Sequence, residues 1–533
     1  METTFLTNPY TTRRTPVVAE NGTVATSHPL AASAGLRMLL AGGNAIDAAV
    51  AMAITLTLVE PTSNGIGSDA FALVWDGNKL HGLNGSGRAP AALTLERVQE
   101  RGGLHPFGWN TVTVPGAPAL WQDLHERFGS LPFSQLVQPA LEYAERGHPV
   151  ASLIARNWTR GVEQAKARTG PQFEHFLPTF APDGHAPTAG SRYVSQAHAR
   201  TFRTLAEQGV QAFYRGEIAE AMVAFARETG GYLSMDDMAN HTSTWVEPIA
   251  TTYRGHEVWE IPPSGQGIAA LIALGILEGL EIAHHPRDSV SAYHLQIEAM
   301  KLAFADVHRY VADPTFADVP IAGMLNPDYL ARRRALIGPT ARHPEPGAPP
   351  QGGTVYLCAA DRDGLMVSMI QSNFWGFGSG IVVPDWGIAL QNRGYGFSTD
   401  PQHPNVLVPG KRPYHTIIPG FLTRNGQAVG PFGVMGGPMQ PQGHTQVVIN
   451  MLDYAMNPQA ALDAPRWRVG DGKLFLELET PRFIVAGLED IGHAVVIETE
   501  PYGFGRGQII VQMPSGAYCV GSEARCDGAA LGW

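Results

Sequence analysis

Charge is sparse in this chain. Only 16% of its 533 residues are Asp, Glu, Lys or Arg, and acidic residues outnumber basic ones 48 to 37. The formal net charge of −11 argues against a nucleic-acid or anionic-membrane partner, since both need clustered Lys and Arg. Cysteine is scarcer still. Cys358, Cys519 and Cys526 are odd in number, lack metal-ligand spacing and suit a reducing compartment. Cys358 reads as a small buried hydrophobe rather than a nucleophile. No apolar run is long enough to span a bilayer, and the best helix candidate, 45–59, carries Asp47. The opening METTFLTNPYTTRRTPVV holds no apolar core of signal-peptide length. The expectation is a soluble, cytoplasmic protein with no membrane partner.

Several catalytic signatures are also missing. There is no G-x-S-x-G elbow, which argues against an α/β-hydrolase. There is no H-E-x-x-H or Cys/His cluster, so no protein-bound metal is expected. His284-His285 falls in a polar turn, and His444 reads as a structural residue. GIGSDA at 65–70 fits G-x-G-x-x-A loosely, but it follows a helix pattern and precedes a strand. A dinucleotide site needs the reverse order, so no nucleotide cofactor follows from it.

Hydrophobic residues are plentiful, at 44%, and nothing reads as extended disorder. The pattern predicts a helix over 30–40 that stops at Gly42-Gly43, then a mostly buried helix to Val59 opened by Asn44 or Asp47. FALVW and KLHGLNG form a hairpin around Asp76-Gly77-Asn78. Residues 118–330 read as largely helical, with a core-packing apolar stripe at 297–311. After Thr354 the chain turns strand-rich, with strands at 354–372, 381–391, 414–422, 428–434, 474–478 and 507–520. A helix is expected over 444–454. Two packed sheets covered by helices would satisfy this order.

Chemistry points to one junction. HPEPGAPPQGG, residues 343–353, is too rich in Pro and Gly for helix or sheet and reads as flexible. It delivers Thr354 to TVYLCAADRDGLMVSMIQSN, two β-prone runs joined by Asp-Gly turn chemistry. A Thr freed as a new N-terminus brings its own base, because an α-amine has a pKa of about 7.7–8.0. That pair is a recognised nucleophile and base. Gly353 suits the cut itself, since glycine permits the strained turn from which the hydroxyl attacks the preceding carbonyl. With Asp363-Gly364 as a two-residue turn, Thr354 falls opposite Asn373; a shifted turn moves its partner to Gln371. Gly436-Gly437, followed by Pro438, offers backbone N–H groups for an oxyanion.

With GFGSGI, KRP and MGG, this junction resembles the γ-glutamyltranspeptidase family of N-terminal-nucleophile hydrolases. The resemblance runs from ATSHPLAASAGLRMLLAGGNAIDAAVA through EPTSNGIGSDAFALV, TVPGAPALW, PPSGQG and IEAMKLAFADVHRYVADP to DGAALGW. It implies an α+β, four-layer αββα sandwich formed jointly by two chains after self-cleavage. Residues 1–353 would be the large subunit and 354–533 the small one, intertwined in one domain. The partner would be the cleaved subunit itself, in a heterodimer or a dimer of heterodimers. The family match picks Ser372 as the hydroxyl that holds the nucleophile, and Gly436 and Gly437 as the oxyanion glycines. No cofactor is required.

The glutamate-recognition set of that family is altered here. Its arginine before the APA motif falls at Ser86, with Arg88 two residues on. Its paired Gln and Asp fall at Arg393 and Gly396, beside Tyr395. Its consecutive serines fall at His415 and Thr416, and its Asn falls at Phe374, with Asn373 one place earlier. The lid insertion before KRP is missing. Losing the Asp carboxylate and gaining an arginine favours anions in bidentate geometry, so Arg88 and Arg393 suggest an anionic amide without a free α-amine. Trp375, Tyr395, Tyr414 and His415 would fill space beside a small substrate. The variants resemble a side branch that includes cephalosporin acylases and oxamate amidohydrolase of purine-nitrogen catabolism. The expectation is an autoprocessed amidohydrolase that cleaves an oxamate-like amide to a carboxylic acid and ammonia through a Thr acyl-enzyme. The alternatives are a γ-glutamyl transferase or hydrolase, a glutaryl or cephalosporin acylase, and an uncleaved scaffold.

Overall fold

The computed structural model describes residues 14–342 and 353–533. The expected flexible stretch therefore lies, up to Gly352, outside the described residues. Two short strands come first, β1 (Val17–Ala19) and β2 (Gly22–Thr26). Helix α1 (Pro29–Leu40) starts where His28 caps the Leu30 N–H with Pro29 in the first turn. Helix α2 (Ala45–Val59) starts at a capping box: Asn44 accepts from Asp47 N–H while the Asp47 carboxylate accepts from Asn44 N–H. All fifteen α2 residues are buried. A helix apolar on every side is stable only between other layers, and each of Ile46, Val50, Ile54, Leu56 and Leu58 contributes about 1.5–3 kcal/mol there.

The hairpin β3 (Asp69–Trp75) and β4 (Leu80–Gly85) follows as expected. The 118–330 region is helical in the main but also supplies β5 (Thr244–Val246), β6 (Ile249–Tyr253) and β7 (His256–Glu260). Arg254 and Gly255, both at positive φ, make the tight turn between the last two. Helices α3 (Gly267–Glu278) and α4 (Val290–Tyr310) come next.

Then come β8 (Gly353–Asp361) and β9 (Met366–Phe374), followed by β10 (Gly420–Arg424) and β11 (Gln427–Met435). Residues 414–419, expected as strand, run irregularly past the site. Helix α5 (Met439–Leu452) begins five residues before the expected start. Strands β12 (Arg506–Gln512), β13 (Tyr518–Ser522) and β14 (Ala529–Gly532) complete the fold.

Two seven-stranded sheets result, every neighbouring pair antiparallel. One is ordered β1-β13-β12-β11-β10-β7-β6, the other β14-β2-β8-β9-β3-β4-β5. The faces between them bury Phe71, Tyr356, Cys358, Ile370, Ile417, Phe421 and Ile510. A second core lies between the β8–β9 sheet and α1 and α2. A third lies between the other sheet and α3, α4 and α5. Three cores separate four layers, helix–sheet–sheet–helix. Each sheet takes strands from both sides of Gly353, so neither segment has a complete sheet alone.

Candidate active site

Turn chemistry sets the register at Thr354. The β8–β9 turn holds three residues, Arg362-Asp363-Gly364, not the two expected. Asp361 caps it, its carboxylate accepting the N–H groups of Asp363 and Leu365, and Gly364 supplies a φ of +84°. Val355 therefore pairs with Gln371, and a bulge before it lets Gly353 pair with Phe374. Thr354 stands in that bulge facing Ser372. Thr354 is 1% exposed, and its hydroxyl donates to Ser372 Oγ at 3.2 Å. Ser372 Oγ also accepts the Phe374 N–H at 2.8 Å, which holds Phe374 at a φ of +78°, unusual for a bulky residue.

Gly436 and Gly437 link β11 to α5 with φ of +135° and +60°. The first turn of α5 then brings Gln440 Nε2 to 3.5 Å from Thr354 Oγ1, while Gln440 Oε1 accepts the Ile418 N–H. Gln266 fastens this corner, its amide nitrogen donating to the carbonyls of Gly437 at 2.8 Å and Thr416 at 2.6 Å. Tyr414 OH donates to Gln266 Oε1. Sequence reading missed both glutamines, since each works through residues distant in the chain.

The expected substrate residues divide. Arg393 is buried, its Nη1 donating to Thr416 Oγ1 at 2.7 Å and its guanidinium lying 4.6 Å above the Phe374 ring. Among the described residues its Nε and Nη2 have no partner. Burial pulls its pKa down to about 9, with Asp69 opposing. His415 Nε2 lies 3.2 Å from Asp69 Oδ2, and its ring packs on Phe71. Asp69 is a third residue that sequence reading missed. It lies directly opposite Ser372 across β3 and β9. Tyr395 packs edge-on to Trp375 at 5.6 Å and 6.5 Å from the Phe374 ring. Asn373 turns toward the 63–68 loop, where its Oδ1 accepts from Ser68 Oγ. Arg88 sits elsewhere. Its side chain is 41% exposed, donates to Gly410 O at 3.1 Å and lies 3.8 Å from Asp313.

Two other clusters are built differently. His444 pairs with Glu260 at 2.6 Å inside the helix-covered core, and burial holds its pKa near 3. His294, Glu298 and His493 gather ligand atoms within 4.8 Å of one another. Lys301 Nζ already bonds Glu298 at 2.8 Å and reaches His493 Nδ1 at 3.4 Å, so an ammonium does there what a cation would do. All three cysteines are free and buried, and burial pushes the Cys358 thiol up, away from reactive thiolate. Among the described residues no helix is long and apolar enough to cross a membrane.

A sequence model described as gamma-glutamyltranspeptidase matches residues 31–533. The chain belongs to the γ-glutamyltranspeptidase family. A glutathione hydrolase-like proenzyme of Bacillus subtilis is 34% identical, over 97% of this chain and 99% of its own. An oxamate amidohydrolase proenzyme of Klebsiella pneumoniae is 33% identical, with the same coverage. Among solved structures, a cephalosporin acylase from Bacillus halodurans is 52% identical, covers 99% of this chain and 98% of its own, and superposes with a TM-score of 0.95. The γ-glutamyltranspeptidase family fold is thus the αββα architecture of this chain, with Thr354 at its sheet–sheet interface.

Proposed function

We propose that this protein is an autoprocessed N-terminal threonine amidohydrolase acting on a small carboxylate-bearing amide. The observation that carries the proposal is the Thr354 hydroxyl, buried directly after Gly353 and held by Ser372 at 3.2 Å. In processing, Thr354 Oγ1 attacks the Gly353 carbonyl carbon, and the Gly353–Thr354 C–N bond breaks to leave an ester. Water hydrolyses the ester, giving a Gly353 carboxylate and a free Thr354 α-amine. Residues 1–353 and 354–533 then form a heterodimer through their shared sheets, and the curated relatives being proenzymes supports this.

In turnover the α-amine takes the hydroxyl proton as Oγ1 attacks the substrate amide carbon. Backbone N–H groups of Gly436 and Gly437 hold the oxyanion. The α-ammonium returns the proton to the leaving nitrogen, which departs as ammonia or an amine. Water, activated by the same amine, cleaves the ester and releases the acid. No cofactor enters the sequence.

Arg393 anchors the substrate carboxylate through the nitrogens left unpartnered, beside Thr416, His415 and Tyr395. A bound anion would restore the guanidinium's hydrogen bonds, where the α-ammonium of a γ-glutamyl group would be repelled. Oxamate is the smallest substrate of this kind. The 52%-identical acylase favours a longer glutaryl-type acyl group as the second reading. We place the enzyme in the cytoplasm. Parallel kinetics with oxamate, a glutaryl amide and glutathione test the proposal. Turnover of either anionic amide with little glutathione hydrolysis is expected, and a strong preference for glutathione would overturn it.

A further inference from the structure

Asp69 has no part in the steps above, yet it is wholly buried one strand from Ser372. Its Oδ1 accepts the N–H groups of Gly87 and Gly116, each at 3.1 Å. Its Oδ2 faces His415 Nε2 at 3.2 Å. Ile417 N–H donates to His415 Nδ1 at 3.4 Å, so that nitrogen is the acceptor and Nε2 carries the proton. Every bond to Asp69 therefore runs from a donor to a carboxylate. Four titratable groups surround it. Arg393 and Arg412 pull its charge into being, His415 is held neutral by burial and by the same two arginines, and Tyr214 stands nearby. Burial is the strongest influence and pushes the Asp69 pKa up to about 7.

We infer that the Asp69 carboxylate, set against His415, and a substrate carboxylate on Arg393, which is held by the adjacent Thr416, repel each other, so that binding an anionic amide is coupled to proton uptake by Asp69. The inference rests on Arg393 being the carboxylate anchor proposed above. A second anion brought into a buried site disfavours the charge on the first. No bond between heavy atoms changes; one proton leaves a solvent or buffer acid and forms the O–H bond of the Asp69 carboxyl. The same proton weakens the His415 contact, because two hydrogens then face each other across it.

The direction follows from the charges. At low pH Asp69 is neutral and no buried carboxylate opposes the substrate anion. As pH rises through neutrality Asp69 ionises, and anionic amides bind more weakly, by up to about tenfold per pH unit. Asp69 would thus act as a specificity-determining counter-charge, lowering affinity for anions when ionised.

The test is calorimetric titration of glutarate into the processed enzyme near pH 7.5, in buffers of differing ionisation heat. Infrared difference spectra would follow the protonated-carboxyl band. Proton uptake that vanishes in Asp69→Asn, with glutarate bound at least as tightly by that variant, supports the inference. Glutarate binding without proton uptake overturns it and leaves the anchor intact. If the wild type binds no glutarate, oxalate takes its place with the same readings; no binding of either, or equal binding by Arg393→Ala, overturns anchor and inference together. If Asp69→Asn does not fold, the wild-type infrared spectrum decides: a protonated-carboxyl band that grows with glutarate supports the inference, and an unchanged band overturns it.

Discussion

Asp69 and Ser372 face each other across adjacent strands, and the Ser372 hydroxyl in turn receives the hydrogen bond from Thr354. Three strands thereby place the proposed nucleophile Thr354, the Ser372 hydroxyl and the buried Asp69 carboxylate in one row. In the proposed reaction, chemistry and substrate charge would be handled side by side, because one sheet sets both.

Ser372→Ala removes the hydrogen-bond partner of the proposed nucleophile Thr354 while leaving the strand intact. The loss of one such bond is worth about 1–1.5 kcal/mol, which predicts kcat roughly tenfold lower with KM little changed. Steady-state kinetics on the processed variant check this.

Arg393→Ala should raise KM for anionic amides by roughly a hundredfold, because truncating a buried charge partner costs about 2–5 kcal/mol. Arg393→Lys should fall between, since an ammonium keeps the charge but not the fork. Equal losses on neutral and anionic amides would make the arginine structural.

Gly436→Ala should lower kcat by about 10²–10³, the cost of displacing an oxyanion donor. At a φ of +135° a side chain is strained, and its Cβ would meet Gly505 Cα at 3.1 Å. Processing measured alongside should slow as well, because the same donors would serve both carbonyls.

In the proposed turnover the base is an amine that works only when neutral. With its pKa at about 7.7–8.0, kcat should rise with pH through that range and level off above it. Replacing Thr354 by Ser should keep that profile. A kcat independent of pH between 6 and 9 would remove the amine from the mechanism.

Much of this was legible in the chain because it is local. The Pro/Gly stretch, the hydroxyl after Gly353, the Asp-Gly turn and the Gly-Gly before Pro438 are each a few residues long. What was hidden is set by packing. Asp69 sits in GIGSDAFALV, where an apolar strand masks a lone acid, and only the sheet register pairs it with Ser372. Gln266 and Gln440 act across long sequence separations. Arg88 is near the family's arginine in sequence, yet in space it bonds Gly410 and Asp313. The strand pair at 249–260 was lost among helices because its buried positions include the polar His256 and Glu260 while Trp259 lies on the other face, which breaks the apolar alternation that marks a strand.

Intact-mass spectrometry of the purified protein beside Thr354→Ala tests the central claim most directly. The account predicts two masses, residues 1–353 and 354–533, summing to the full chain plus one water, and a single uncut mass in the variant. One uncut mass in both samples would contradict it, because the free amine on which every later step depends would not exist.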